Sequence, residues 1–381
     1  MNLKKTILYS SVFALQGLSN AVIPVLPELA GQDSSGSLAS NLLFSGYFIG
    51  ALLALVPFGI LADRIGNGKV AGFGILLTFA SGLVISFSGN IWVLGITRFA
   101  EGIACGAFFP AAFSMLSEWE DGKRSLGEFN FLLNAGLAAG VLFSGILAGF
   151  GIKTAIHMFT FLIGLSSILL LSQMRELISS GRKEKIQSFE DYKKIHEKRA
   201  LQSEFGNYFK KAWETTFKTD FGKIWGISVL LYGTTGLLTA NYADYSAEFL
   251  SKPELGLAIS GSYIAAMFSS LLAGRVEASS KNIIRTGIAL AVAGILLSTN
   301  SPILAFLLIG AGGGAAIVGL ITAVAKVSSS GFAMGLFNTG IYAGLGLGPV
   351  FGSFFIGIFG YETVFLGSAL ILFAVLFIKL E

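Results

Sequence analysis

Twelve long apolar blocks, separated by short polar breaks, confine this chain to a membrane. They run approximately over 5–30, 38–62, 70–88, 91–117, 125–150, 154–174, 222–250, 254–277, 281–298, 301–326, 330–358 and 360–379. A bilayer core about 30 Å thick is crossed by a helix of about 20 apolar residues. Lipid offers no partner for backbone N–H and C=O groups, so each block is read as a helix that satisfies its own. Charged residues make up 13% of the chain, against about 25% in soluble domains. The expected class is an all-α membrane protein. The first block follows Lys4 and Lys5 and runs past Gln16 to Pro27 without a small-residue cleavage site, so it is read as a span and not as a removed signal peptide.

Six blocks precede the one long polar stretch and six follow it. This divides the chain into an N-terminal six-helix bundle (1–175), a linker (176–221) and a C-terminal six-helix bundle (222–381). Loops on the side of the chain ends carry Lys69, Lys123, Arg124, the basic residues of the linker, Lys281, Arg285 and Lys326, whereas the opposite loops carry only Lys153 and Lys252. The positive-inside rule therefore puts both termini and the linker in the cytoplasm, in a multi-pass protein of the cell membrane. The net charge of +4 follows from this orientation, and no nucleic-acid partner is expected. In the linker, Phe205, Phe209, Trp213 and Phe217 recur every fourth residue beside Lys210, Lys211 and Lys218. That spacing fits either a helix lying in the headgroup region or a solvated connecting helix.

The two halves echo each other. Gly127-Glu-Phe-Asn130 returns as Gly335-Leu-Phe-Asn338, and Ala135-Gly136-Leu137 as Ala343-Gly344-Leu345. Gly140 returns as Gly348, and Gly102 and Gly106 return as Gly310 and Gly314, all at one offset of 208 residues. A repeat of this kind predicts two pseudo-symmetric bundles with a binding site between them near the midplane. The chain has 49 glycines, which let spanning helices approach closely.

The stretch Gly59-Ile-Leu-Ala-Asp63-Arg64-Ile-Gly66-Asn67-Gly68-Lys69 resembles the signature loop between helices 2 and 3 of the major facilitator superfamily. Gly59, Asp63, Arg64 and Gly66 match the family positions. With the six-plus-six layout, the resemblance covers essentially the whole chain. It implies the major facilitator fold, alternating access, and a latch role for the loop aspartate. Asp63 would face the positive N-terminus of the eleventh helix, near 328–331, in one state only. Gly136 to Gly145 in the fifth block, and Gly344-Leu-Gly-Leu-Gly348-Pro349 in the eleventh, are similar to the antiporter signature of the family's drug exporters. Val141 and Ser144 depart from that signature.

Polar residues inside apolar blocks are the candidates for function, because lipid penalises them. In the fourth block, Arg98 and Glu101 are three apart and share a helix face. Counted from Ile91 at 1.5 Å per residue, Glu101 is about 15 Å deep. The pair is either a fixed structural contact or a proton-coupling site in which Glu101 titrates and Arg98 modulates it. The stretch resembles a family signature of proton-coupled members, with Glu101 where glutamine is more usual. Gln16 and Asn20 in the first block are candidates for substrate contact or for bonds between helices. Asn241, Asp244, Tyr245 and Glu248 in the seventh block read as a solvated mouth or a second acidic site, with 241, 244 and 248 expected on one face. Tyr263, Asn338 and Tyr342 are further candidates for substrate binding.

These readings converge on a secondary transporter, a monomer that binds a small-molecule substrate and protons within the lipid bilayer. Export of small apolar or amphipathic compounds leads. The alternatives are a proton-coupled importer or facilitator of a small nutrient or organic anion, with Arg98 holding the anion, and a sensor or scaffold that moves nothing. A linker of about 46 residues is too short for a sizeable core of its own. No zinc-protease motif, phosphate loop or nucleophile elbow occurs, so no enzyme is expected. The single Cys105 and two histidines leave no metal site, and no cofactor is called for.

Overall fold

A computed structural model describes residues 3–31, 36–117, 119, 122–180, 221–327 and 331–378. Every regular element among them is a helix. The spans are α1 (Leu3–Ala21), α2 (Gly36–Ile65), α3 (Asn67–Phe87), α4 (Ile91–Ser117), α5 (Gly122–Leu147) and α6 (Thr154–Ser180), followed by α7 (Phe221–Tyr245), α8 (Lys252–Ala273), α9 (Ser280–Leu297), α10 (Pro302–Val327), α11 (Gly331–Phe359) and α12 (Tyr361–Val375). A 3₁₀ turn (Ile23–Val25) and a short helix (Leu26–Ala30) extend α1 to the far side. Ten of these segments are long and apolar enough to cross a bilayer. The more polar α7 and the shorter α12 bring the number to the twelve that the apolar blocks predict.

Local chemistry sets several of the ends. Asn90 accepts hydrogen bonds from the backbone N–H groups of Trp92 (2.9 Å) and Val93 (3.3 Å), capping the start of α4. Ser251 and Glu254 form a reciprocal capping box at the start of α8. The seventh span ends at Tyr245 and not near 250, and the chain turns before Ser251 with the Phe249 and Leu250 N–H groups on the Ser246 carbonyl. Gly66, at φ 98°, makes the tight corner between α2 and α3, a conformation that costs glycine little.

Packing repeats across the halves. Within the first half, α1 packs on α5 and α6, α4 on α2 and α3, and α3 on α6. Within the second, α7 packs on α11 and α12, α10 on α8 and α9, and α9 on α12. The two halves meet through α5 against α8 and α2 against α11, which are equivalent under the same six-helix shift. The repeated glycines sit at these crossings. A Cβ on Gly102 of α4 would lie 1.9 Å from the Tyr47 carbonyl oxygen of α2, and one on Gly310 of α10 would lie 1.9 Å from the Ser262 carbonyl oxygen of α8. On the other pair of crossings, a Cβ on Gly140 would lie 2.3 Å from the carbonyl oxygen of Gly17, and one on Gly348 would lie 2.3 Å from that of Gly233. The sequence repeat is thus a repeat of backbone-to-backbone contacts.

The two basic residues on the sparsely charged side both have structural partners. The Lys153 ammonium donates to the carbonyls of Ile85, at 3.0 Å, and Ser88, closing the C-terminal end of α3. Its burial pulls its pKa below the usual lysine value, because desolvation disfavours the charged form. Lys252 pairs with Glu28. The expected aromatic helix of 205–217, the Asp63 side chain and residues 328–330 lie outside the described residues, so the latch geometry does as well.

Candidate functional site

A cavity of ≈ 1440 Å³ lies between the two halves. Its wall comes from α1, α2, α4 and α5 on one side and α7, α8, α10 and α11 on the other. It reaches Gly59 near the end of α2, Asn130 near the start of α5, Ile321 near the end of α10 and Met334 in the first turn of α11. All four lie toward the face that carries the chain ends. Toward the opposite face the lining stops at Phe44, Thr239 and Ser262. The cavity is therefore open on one side only.

Three contacts close the other side. Asn41 Nδ2 of α2 donates to Asn241 Oδ1 of α7 at 2.7 Å. Lys252 at the start of α8 pairs with Glu28 at 2.7 Å and donates to the Pro24 carbonyl at 2.8 Å, joining the second half to the tail of α1. Gly145 of α5 meets Gly256 of α8 so closely that a Cβ on Gly145 would lie 2.4 Å from the Lys252 carbonyl oxygen.

Deep in the cavity, Gln16 and Asn20 of α1 line the wall, as do Tyr263 and Tyr342 from the second half; Asn338 lines it nearer the mouth, one turn past Met334. Tyr47, which the sequence reading did not single out, donates to Gln16 Oε1 at 3.3 Å. Tyr342 reaches across the halves to Cys105 Sγ at 3.8 Å. Behind Tyr47 lies the ion pair of α4, in which Arg98 Nη1 donates to Glu101 Oε2 at 2.6 Å. Arg98 Nε donates to the Leu43 carbonyl at 3.2 Å, and the guanidinium lies 4.8 Å from the centre of the Tyr47 ring. The pair is 3% and 0% exposed, and Glu101 Oε1 has no hydrogen-bond partner.

Several expectations are corrected by this geometry. Neither Arg98 nor Glu101 lines the cavity, because the Tyr47 ring is interposed; in this conformation Arg98 is not placed to hold an anionic substrate. Asn241 faces α2 at the closed end and does not line the cavity. Glu248 lies past the end of α7 and is exposed, so it does not share a helix face with Asn241 and Asp244. The Asp244 side chain is half-buried near the closed face, and its Oδ2 lacks a partner. Tyr245 donates to Glu362 at 3.1 Å in an aromatic cluster with Tyr242, Tyr361 and Phe365, away from the cavity. Gly59 lines the cavity mouth, and Arg64 and Gly66 are exposed at the corner beyond it. Among the cavity residues, the sequence reading passed over Asn130 and Asn134. Asn130 is the 208-residue counterpart of the candidate Asn338, and Asn134 is an amide at the middle of an apolar block; those placements are the signals that mark them.

The family profile described as Major Facilitator Superfamily matches residues 8–221 and 224–380. The chain belongs to that superfamily. This facilitator is 26% identical to an uncharacterized MFS-type transporter of Methanocaldococcus jannaschii over 92% of its own length and 90% of the relative's. It is 31% identical to the multidrug resistance protein MdtG of Citrobacter koseri over 113 residues, 29% of this chain and 28% of that one. A protein of Drosophila melanogaster named for inorganic phosphate cotransport is 28% identical over 137 residues, 34% of this chain and 26% of its own length. The chain thus spans about a quarter of that relative. Among solved structures, the facilitator resembles a bacterial homologue of the human lysosomal transporter Spinster, captured inward-facing and unoccupied, with a TM-score of 0.73 at 12% identity, covering 98% of this chain and 96% of that one. The nucleoside transporter NupG gives a TM-score of 0.73 at 14% identity, covering 99% of this chain and 98% of that one.

The Lys252–Glu28 bridge joins the halves across the closed side. Lys252→Gln is therefore expected to raise the far-side-open population. The bridge is about one quarter exposed, so its loss is worth up to about 1 kcal/mol, a shift of about fivefold at most. Maleimide labelling of a cysteine placed at Asn134 measures it. Slower labelling from the side of the chain ends is the expected outcome, and an unchanged rate removes the bridge from the gate.

Proposed function

We propose that this facilitator is a secondary active transporter of the cell membrane that exports small apolar or amphipathic compounds in exchange for protons. The observation that carries the reading is the one-sided cavity between the two halves, which fits one state of an alternating-access cycle. The proposed units are the bundles 1–175 and 222–381 with 176–221 as a cytoplasmic linker, both termini cytoplasmic, and the cavity as drawn is the inward-open state. Gln16, Asn20, Tyr263, Asn338 and Tyr342 are the proposed substrate contacts. The short multidrug-protein likeness and the glycine pattern of α5 and α11 favour export.

Glu101 is the proposed proton carrier and Arg98 the residue that sets its affinity. The sealed ion pair requires that Glu101 exchange protons only after Tyr47 moves aside, which ties proton access to the rocking of the halves. Glu101→Gln keeps the shape and removes titration. The variant is expected to lose uphill accumulation in proteoliposomes under a pH gradient while retaining its folded yield. Full accumulation by the variant eliminates Glu101 as the coupling group. The sign of substrate movement under the same gradient separates export from import of a nutrient or anion.

Asp63, by its match to the family loop, is the proposed conformational latch. Asp63→Asn is expected to slow turnover several-fold while leaving substrate affinity within about twofold, because a latch biases states and does not touch substrate. Equal turnover of variant and parent refutes the latch.

A further inference from the structure

We infer that the substrate crosses this protein as an uncharged molecule with a hydrogen-bonding head and an apolar body. The inference deepens the reading of the cavity as the transport site and rests on it. Among the described residues, none that lines the cavity is an aspartate, glutamate, lysine, arginine or histidine. A charged solute entering there would give up water and meet no counter-charge, which is strongly unfavourable in a low-dielectric site. The nearest buried charges, Arg98 and Glu101, are spent on each other behind Tyr47. A cation at the closed end would also meet the Tyr47 ring with the guanidinium already 4.8 Å from its centre, so that aromatic face is not free to hold a second positive group.

The neutral polar groups are of a type that satisfies a neutral head. Gln16 and Asn20 offer amide donors and acceptors, and Tyr263 and Tyr342 offer hydroxyls. Each group both donates and accepts, so an alcohol, amide or urea is matched without a proton transfer. The walls between this end and the mouth include Leu52, Val56, Phe109, Phe113, Ile317 and Val318, which present apolar surface to the rest of the molecule. At ≈ 1440 Å³ the space exceeds the roughly 300–1,000 Å³ of ordinary ligand pockets. An elongated body fits without clash, and residual water can remain at the mouth.

The test uses the full chain in proteoliposomes, with a reporter cysteine at the cavity mouth in a Cys105→Ser background. Asn130→Cys and Ile321→Cys are made separately, one in each half, so that failure of either to fold leaves the other. Labelling by a membrane-impermeant maleimide is followed while phenylbutanamide, phenylbutylamine or phenylbutyrate and their longer-chain homologues are titrated at neutral pH. The neutral amides are expected to protect the cysteine at concentrations at least about tenfold below the matched amines and carboxylates. Protection by an amine or carboxylate at an equal or lower concentration overturns the inference while leaving the transport cavity in place. Absence of protection by every amide overturns it as well. If neither cysteine reacts from the side of the chain ends, the cavity itself is not the transport site, and both readings fall.

Discussion

Replacing Arg98 with leucine is expected to destabilise the protein by about 3–5 kcal/mol, whereas replacing Arg98 and Glu101 together with methionine and leucine is expected to recover most of that loss. The argument starts from burial. Arg98 and Glu101 are 3% and 0% exposed and lie 2.6 Å apart. Removing the arginine leaves a carboxylate in a dry place with one oxygen already unpartnered and, among the described residues, no second cation paired with it. Removing both charges leaves apolar groups of similar volume against Tyr47 and Leu43. Unfolding yield and melting temperature of the detergent-purified variants report the first part, and uphill transport reports the second. The double variant is expected to be folded and uncoupled, which separates a structural pair from a coupling pair. A double variant as unstable as Arg98→Leu alone means that the pair is held by something other than its charge. A double variant that still accumulates substrate against a gradient means that coupling resides elsewhere, with Asp244 the next acidic group to test.

The contrast between what the sequence made legible and what it did not follows from the range of each interaction. The twelve spans were readable because the length of an apolar block is a local property, and lipid enforces it strictly. The two-bundle layout was readable because the crossings at Gly102, Gly140, Gly310 and Gly348 require a missing side chain, and that requirement is written into both halves at one spacing. Arg98 and Glu101 were readable as a pair because three residues along a helix fixes their side. Whether the pair faced water or packing was not readable, since Tyr47, more than fifty residues away on α2, decides it.

The same limit applies to the amides. Gln16, Asn20 and Asn338 stood out as polar groups in apolar blocks, and all three line the cavity. Asn241 stood out for the same reason, but its partner is Asn41 across the closed end. An isolated sequence gives the depth of a polar residue and not its neighbour. Glu28 and Lys252 were legible only as loop charges, because their contact joins opposite halves of the chain. Glu248 was misplaced for a local reason. The helix ends at Tyr245, earlier than hydropathy indicates, and Glu248 falls in the turn between it and the Ser251 cap of the next helix.

Alanine at Gly102 or at Gly310 is expected to destabilise the protein by about 1–3 kcal/mol, although alanine is the better helix former. The new Cβ in each case would lie 1.9 Å from a backbone carbonyl oxygen of the facing helix, and a backbone oxygen has no rotamer by which to move away. Relief requires α4 to separate from α2, or α10 from α8, and each separation opens space along a whole helix pair and shifts the cavity wall that the pair supports. Gly226 and Gly357 serve as controls, since a Cβ at either meets nothing within 4 Å. Alanine there is expected to leave stability unchanged or to raise it by up to about 1 kcal/mol through helix propensity alone. Melting temperatures of the four variants in one detergent give the comparison directly. The two crossing variants are expected to fall together, because the equivalent positions make equivalent contacts in the two halves. A drop for only one of them means that the halves are not mechanically equivalent, with one crossing free to slide as the transporter changes state. Equal stability for all four means that the helices are held apart from the distances described, and the cavity between them would then have a different shape.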